Sequence, residues 1–273
     1  APMINLLFVA ALGAILFSIL YWAFRALPGE KWQVLAAIPS HKSPAGHWHG
    51  TNITSYGLIV ACSYLLAATL TLVLLGAIAV SLSGAGALLL TMLLLVLPAS
   101  RLVALLVEKK AATFTVGGAS FVGIVMAPWI AHLANSLGQT HGVHVPVIPS
   151  LAVFAIAYSF GEGLGRLGCV TFGCCYGKPL ERCHPLVQKI FRHRHFVFIG
   201  HTKKINYAGK LEGCKVVPIQ AVTSIVYVVT GLLGTWLFLN AYYSPALILT
   251  LGVTQLWRAF SETLRADYRG SGR

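Results

Sequence analysis

Apolar positions gather into seven stretches, approximately Met3–Phe24, Thr54–Val80, Gly84–Val107, Thr115–Leu137, Ile148–Gly168, Val217–Ala241 and Ser244–Leu264. A helix needs roughly 20 apolar residues to cross the hydrocarbon of a bilayer, and each stretch is about that long. The first has no basic residue ahead of it and is followed by Arg25, which marks a span rather than a signal peptide. Extended hydrophilic sequence occurs at Arg25–Ile53, at Cys169–Val216 and at the tail. The pattern predicts an all-α integral membrane protein of about seven transmembrane helices, with a long basic loop between helices five and six. It is expected to be one polytopic domain over residues 1–273, with residues 169–216 outside the membrane.

Composition sharpens this picture. The chain is 57% hydrophobic and only 10% charged, whereas about a quarter of a soluble domain is charged. Soluble secreted and nucleic-acid-binding classes are excluded, even though the formal net charge is +13. The 27 glycines and 12 prolines suit closely packed, locally broken membrane helices. The partners expected are the membrane and its lipids.

Charge placement is lopsided. In a seven-span arrangement the connections at Ser81–Ser83, Gly138–Val147 and Tyr242–Tyr243 share a side with the amino terminus, and none contains Lys, Arg, Asp or Glu. Cations follow span one (Arg25, Lys31, Lys42) and span three (Lys109, Lys110), nine fill the long loop, and Arg269 and Arg273 end the chain. The positive-inside rule puts these loops in the cytoplasm and the amino terminus outside. Attraction to anionic headgroups is the competing explanation, and it works on either face.

Arg101, Glu162, Arg166, Arg258, Glu262 and Arg265 fall within or at the ends of apolar stretches. An ionised side chain there costs several kcal/mol unless it is paired or wetted, so each is a candidate for function. Glu162 and Arg166 are four apart with the acid first, and Arg258 and Arg265 each lie within one turn of Glu262. Such pairs can serve as neutralised polar contacts between helices. They can also build an electropositive cavity, since guanidinium forks suit phosphate and carboxylates can hold the forks in place.

The most informative stretch runs from Gly161 to Gly177, with glycines at 161, 163, 165, 168, 173 and 177 around Arg166. Gly163, Gly165 and Gly168 would admit a neighbouring backbone or a ligand, and Gly173 and Gly177 would let the chain turn as the helix ends. Helix packing alone accounts for the small residues but not for Arg166 or for the cysteine loop that follows.

Here the sequence resembles the prolipoprotein diacylglyceryl transferase family. The resemblance rests on Gly165-Arg166-Leu167-Gly168-Cys169 through Tyr176-Gly177. Supporting pieces appear in the family's order: Ser55-Tyr56-Gly57-Leu58, Arg101, Gly117-Gly118, Pro218 with Gln220, and Trp257-Arg258 with Glu262 and Arg265. It covers roughly Ile53 to Asp267. Such enzymes move a diacylglyceryl group from phosphatidylglycerol onto a lipobox cysteine thiol. The resemblance implies a bacterial inner-membrane transferase whose catalytic residues are Arg166, Arg258 and Glu262. Arg166 and Arg258 would grip the phosphate, with Glu262 orienting Arg258 and Arg265. Tyr56, Arg101, Gly117, Gly118, Glu162, Gly168, Cys169, Gln220 and Arg265 are the expected substrate-binding set. The departures are substantial: the family's histidine before the paired glycines is Val116 here, its asparagine after the arginine is Cys169, its acidic residue in the signature is Cys174, and its glutamate after Pro-x-Gln is Thr223. The family's signature loop faces the periplasm, opposite to what the charge rule predicts.

Of six cysteines, Cys62 reads as a small apolar residue in span two, while Cys169, Cys174, Cys175, Cys183 and Cys214 cluster at the site face. Outside the cell some would form disulfides, and inside they would stay reduced. Cys174 and Cys175, with Cys183 and His184, could supply metal ligands, but the spacing is no standard zinc pattern; loop packing, or a disulfide if the loop is outside, is the leading reading, and no metal or other cofactor is expected. A loop cysteine relaying the lipid is a further possibility. Histidines at 41, 47, 49, 184, 193, 195 and 201 read mainly as solvated or interfacial, with His184 the nearest substitute for the missing base. The leading expectation is a transferase taking a diacylglyceryl-type group from an anionic phospholipid to a prolipoprotein cysteine, another thiol or a small acceptor. The alternative is a noncatalytic phospholipid-binding scaffold or transporter, although the two related halves of a transporter are not evident.

Overall fold

The computed structural model describes residues 2–31, 33–44, 46–106, 116–138 and 145–267. Lys109, Lys110, Arg269 and Arg273 lie outside the described residues. The chain is mostly helical. In order it forms α1 (Pro2–Ala26), β1 (Val34–Lys42), β2 (Trp48–Thr54), α2 (Ser55–Ala77), α3 (Leu82–Leu106), α4 (Val116–Gly138) and α5 (Val147–Phe172). Then come α6 (Pro185–Phe191), β3 (Phe196–Val197), α7 (Lys204–Tyr207), β4 (Lys215–Val216), α8 (Ile219–Leu239) and α9 (Tyr243–Glu262).

Among the described residues, five helices are long and apolar enough to cross a membrane: α1, α2, α3 over Leu82–Ala99, α5 and α8. Two expected spans fall short of that standard. The described apolar run of α4 is Val122–Ser136, and α9 is diluted by Gln255, Arg258 and Glu262. Large apolar side chains such as Leu6, Leu65, Leu94, Trp129 and Ile248 are exposed, which suits lipid-facing helix surfaces, where hydrocarbon rather than water is the solvent.

The all-α expectation needs two amendments. The hydrophilic stretch after α1 is an antiparallel hairpin, pairing Val34 with Thr54 through to Lys42 with Trp48. It turns at Gly46, whose φ is +85°, and the Gly46 N–H donates to Ser43 O at 2.9 Å. A second small sheet pairs β3 with β4 inside the long loop. The loop also begins later than expected. Val170 and Thr171 are buried, so α5 continues through Cys169 to Phe172.

The chain divides into two compact units. The first comprises Ala1–Leu66, Ser159–Leu232 and Gly252–Arg269. In it the carboxyl ends of α1, α5 and α9 and the amino ends of α2 and α8 converge on the long loop. Lys203 shows why. Its buried ammonium donates to Leu27 O at 3.2 Å and to Thr171 O at 2.7 Å, so one loop cation caps the ends of α1 and α5, where carbonyls lack intrahelical partners and the helix dipole is negative. Gln33 and Thr202 hydrogen-bond, tying the hairpin's base to the same loop. After α9 the chain doubles back along the loop: Lys178 N donates to Leu264 O, and Ala266 N to Tyr176 O, each at 3.0 Å. Loop and tail therefore share one end of this unit.

The second unit comprises Ala67–Tyr158 and Leu233–Leu251. It contains the α3 and α4 helices, each with an internal proline, Pro98 and Pro128. Asn135 clasps the chain ahead of α5, donating to Val145 O at 2.6 Å and accepting from Val145 N at 2.7 Å. The turn between α8 and α9 is closed by Phe238 against Tyr243, ring centroids 5.1 Å apart.

Candidate functional site

The site is built in the first unit from the last turns of α5, the first turns of α8 and the end of α9. Gly163 lets α5 and α8 touch, because a Cβ there would lie 2.9 Å from Tyr227 Cβ. At this contact the Ser224 hydroxyl donates to Gly163 O at 2.7 Å. Helix α8 is joined to α9 by Tyr227, whose hydroxyl donates to Thr254 O at 3.0 Å, and by the Trp257 indole donating to Thr223 Oγ1 at 3.0 Å. In a membrane, where helices gain little from apolar burial against one another, such close packing and hydrogen bonds fix the arrangement.

These contacts enclose a polar pocket lined by Arg166, Cys175, Gln220, Arg258, Glu262 and Arg265. Arg166 pairs with Glu162 one turn earlier on α5, as the spacing predicts. Its Nε is buried without a hydrogen-bond partner. Arg265 lies beyond the end of α9, where it forks onto Asp267 through Nε to Oδ1 at 2.8 Å and Nη2 to Oδ2 at 2.7 Å. A looser contact of 3.6 Å joins its Nη1 to Glu262. Gln220 is almost fully buried, with its amide donating to Cys174 O at 2.9 Å. Its Oε1 is buried and without a partner. The pocket thus gathers three guanidinium groups, and buried polar atoms left unsatisfied by protein are open to a ligand.

Beside the pocket the chain leaves α5 in a tight turn. Gly173 has φ +67° and Cys175 φ +54°, while Cys174 N donates to Cys169 O at 3.1 Å. This brings the Sγ atoms of Cys169, Cys174 and Cys175 within 4.8 Å of one another. Hydrogen bonds from the Cys169 and Cys174 thiols hold the Cys175 thiol well below its usual range, with Arg166 and Arg265 pulling the same way against burial. All six cysteines are free thiols.

Of the expected residues, Arg166, Gln220, Arg258, Glu262 and Arg265 line the pocket, and Glu162 and Cys169 border it through Arg166 and the thiol cluster. Tyr56 is not a lining residue. It packs over Gly168 and against Phe172, whose ring centroid is 5.9 Å away. Arg101 belongs to the second unit, exposed on α3 in an apolar groove with Leu97, Pro98 and Leu102. Gly117 and Gly118 open α4, also in the second unit. His184 caps α6 by accepting from Leu186 N at 3.3 Å and is not a pocket residue. Three residues escaped notice as site residues. Cys175 was one of several loop cysteines, and only the Gly173 turn aims it at the pocket. Asp267 is two residues from Arg265, and Tyr227 reads as an ordinary apolar residue of α8. Thr223, where the family pattern has a glutamate, donates to Ile219 O at 2.7 Å and accepts from Trp257, a helix-joining role.

A family model described as prolipoprotein diacylglyceryl transferase matches residues 45–272, and the chain belongs to this family. No curated protein gives a significant match.

Proposed function

We propose that this member of a transferase family takes a diacylglyceryl group from phosphatidylglycerol and passes it to a thiol within a bacterial cytoplasmic membrane. The observation that carries the reading is the pocket itself, where Arg166, Arg258 and Arg265 face one polar space at the ends of apolar helices. Breaking the bond between the diacylglyceryl carbon and the phosphate oxygen builds negative charge on that oxygen, and guanidinium donors already in place stabilise it. Arg166 and Arg258 grip the phosphate in forked fashion. Glu162 and Asp267 hold Arg166 and Arg265 in register, and Gln220 Oε1 accepts from the glycerol headgroup. Helices α4 and α9 complete a seven-span arrangement with the other five. The acceptor is a thiol other than the standard lipobox cysteine, because Val116, Cys169 and Thr223 supply no general base.

The test is to incubate the purified protein in detergent with phosphatidylglycerol labelled in its acyl chains, with a lipobox peptide, with a small thiol, or with neither. Label recovered on the small thiol, with glycerol phosphate released, is the expected result, and label on the lipobox peptide would overturn the acceptor assignment alone. Binding without turnover would replace the reading with a phospholipid-binding scaffold or transporter.

A further inference from the structure

We infer that Cys169, Cys174 and Cys175 form a zinc site whose open fourth position faces the pocket and binds the acceptor thiol as a thiolate. Zinc takes cysteine sulfur at about 2.3 Å, which places tetrahedral sulfurs about 3.8 Å apart. The three Sγ atoms already lie within 4.8 Å of one another, so small side-chain rotations close the difference without moving the backbone. The backbone is already shaped for it: the left-handed residues Gly173 and Cys175 and the bond from Cys174 N to Cys169 O curl the chain back over the end of α5. Gln220 fixes the curl through Cys174 O. Cys169 is buried while Cys174 and Cys175 are partly open, and Cys175 also lines the pocket. A metal held by these sulfurs therefore has protein on one side and the arginine pocket on the other, the open arrangement that distinguishes reactive zinc sites from structural ones.

The chemistry of the pocket calls for such a group. Alkylation of a thiol needs the thiolate, yet among the described lining residues there is no histidine, and the single carboxylate, Glu262, is engaged by Arg265. Zinc deprotonates a coordinated thiol outright. Resting on the transferase reading, the step is then balanced. The acceptor thiol loses its proton to solvent on binding zinc. Its sulfur attacks the diacylglyceryl carbon, the C–S bond forms as the C–O bond breaks, and the electron pair leaves on the phosphate oxygen as glycerol phosphate. Zinc and the three cysteines are unchanged at the end.

The experiment uses the full chain in detergent under reducing conditions, stripped of metal and given zinc or cobalt(II) alone. One equivalent of zinc per chain is expected. The cobalt form should show intense thiolate-to-metal absorption that grows when a small thiol is added without any lipid. Cys169→Ser, Cys174→Ser and Cys175→Ser should each lower zinc occupancy at least tenfold at the same free zinc. Because a serine variant could misfold, the wild-type cobalt spectrum stands as an independent count of coordinating thiolates. Occupancy below one tenth, full occupancy in the triple variant, or no response to thiol would each overturn the site. Lipid transfer that persists in metal-free protein would refute the zinc step and leave the transferase reading standing. Stoichiometric, thiol-responsive zinc with no transfer under any condition would uphold the site and end that reading.

Discussion

Helix α5 and the turn just beyond α9 each bring an arginine to the same pocket, and they hold it in different ways. Arg166 takes its counter-ion from its own helix, Glu162 one turn earlier. Arg265 is held by Asp267, and only because the chain stops being helical after Glu262 and folds back along the loop. Residues two apart on a continuing helix do not face each other. A cation inside a spanning helix thus takes its counter-ion from helical periodicity. A cation at the helix end can borrow one from the turn. The first arrangement needs only the helix, and the second accompanies the chain reversal that brings loop and tail together.

Breaking the self-contained pair on its cationic side should have the largest effect. Arg166→Ala is expected to lower turnover about 100- to 1,000-fold, the usual loss when one donor to a developing oxyanion is removed. Arg258→Ala should match it, and lysine should rescue either poorly because it lacks the planar fork. Label transfer from phosphatidylglycerol checks this, and near-normal turnover in Arg166→Ala would sink the phosphate-gripping role.

Breaking the same pair on its acidic side tests folding instead. Glu162→Gln leaves Arg166, only 17% exposed in its side chain, without its compensating charge. A loss of about 3 kcal/mol in stability is expected, as for other buried pairs stripped of one partner. The unfolding midpoint in detergent measures it. Replacing both residues by leucine should recover much of the loss, and an unshifted midpoint in Glu162→Gln would show that the pair does not neutralise the arginine.

Asp267→Asn removes charge from the borrowed partner while Glu262 remains 3.6 Å from Arg265. Losing about 1–2 kcal/mol of charge-assisted hydrogen bonding corresponds to a roughly 5- to 30-fold rise in KM for the lipid. Stability should change less than in Glu162→Gln, because Glu262 stays within 3.6 Å of Arg265 and still offsets its buried charge. A variant that kept KM but melted early would make Asp267 a purely structural tie.

This contrast also explains what could be read from the sequence. The apolar stretches located α1, α2, α3, α5 and α8, because hydropathy is a local property. Glu162 with Arg166 was legible from spacing, and so was the clustering of Arg258, Glu262 and Arg265. The tie between Arg265 and Asp267 was not, since it depends on a chain reversal that no spacing announces. The gathering of Cys169, Cys174 and Cys175 at the site face was legible from their order, but their approach to within 4.8 Å was not, since it depends on the turn beyond α5. The hairpin of Val34–Lys42 with Trp48–Thr54 sat in sequence that read only as hydrophilic. Arg101, Gly117 and Gly118 came from resemblance alone, and they lie in the second unit.

Lys203 extends the comparison to a third buried cation, one held mainly by carbonyls. It bonds Leu27 O and Thr171 O, and Glu30 is its nearby carboxylate. Burial lowers its pKa from 10.5 to about 8, with Glu30 pulling the other way. Below about pH 8 the lysine is charged in both folded and unfolded chains, and the cost of burying that charge is fully present. Between about 8 and 10.5 the unfolded chain binds more protons than the folded one, so stability from this group rises with pH until both forms are neutral. Lys203→Met removes the titration, which isolates it from the thiols and tyrosines that change over the same range. The wild-type midpoint minus the Lys203→Met midpoint should therefore climb between pH 8 and pH 10, by less than the shift caused by Glu162→Gln. The opposite slope would show that the carbonyl bonds outweigh desolvation and hold the ammonium as firmly as Glu162 holds Arg166, and a flat difference would mean that Lys203 is solvated where it caps α1 and α5.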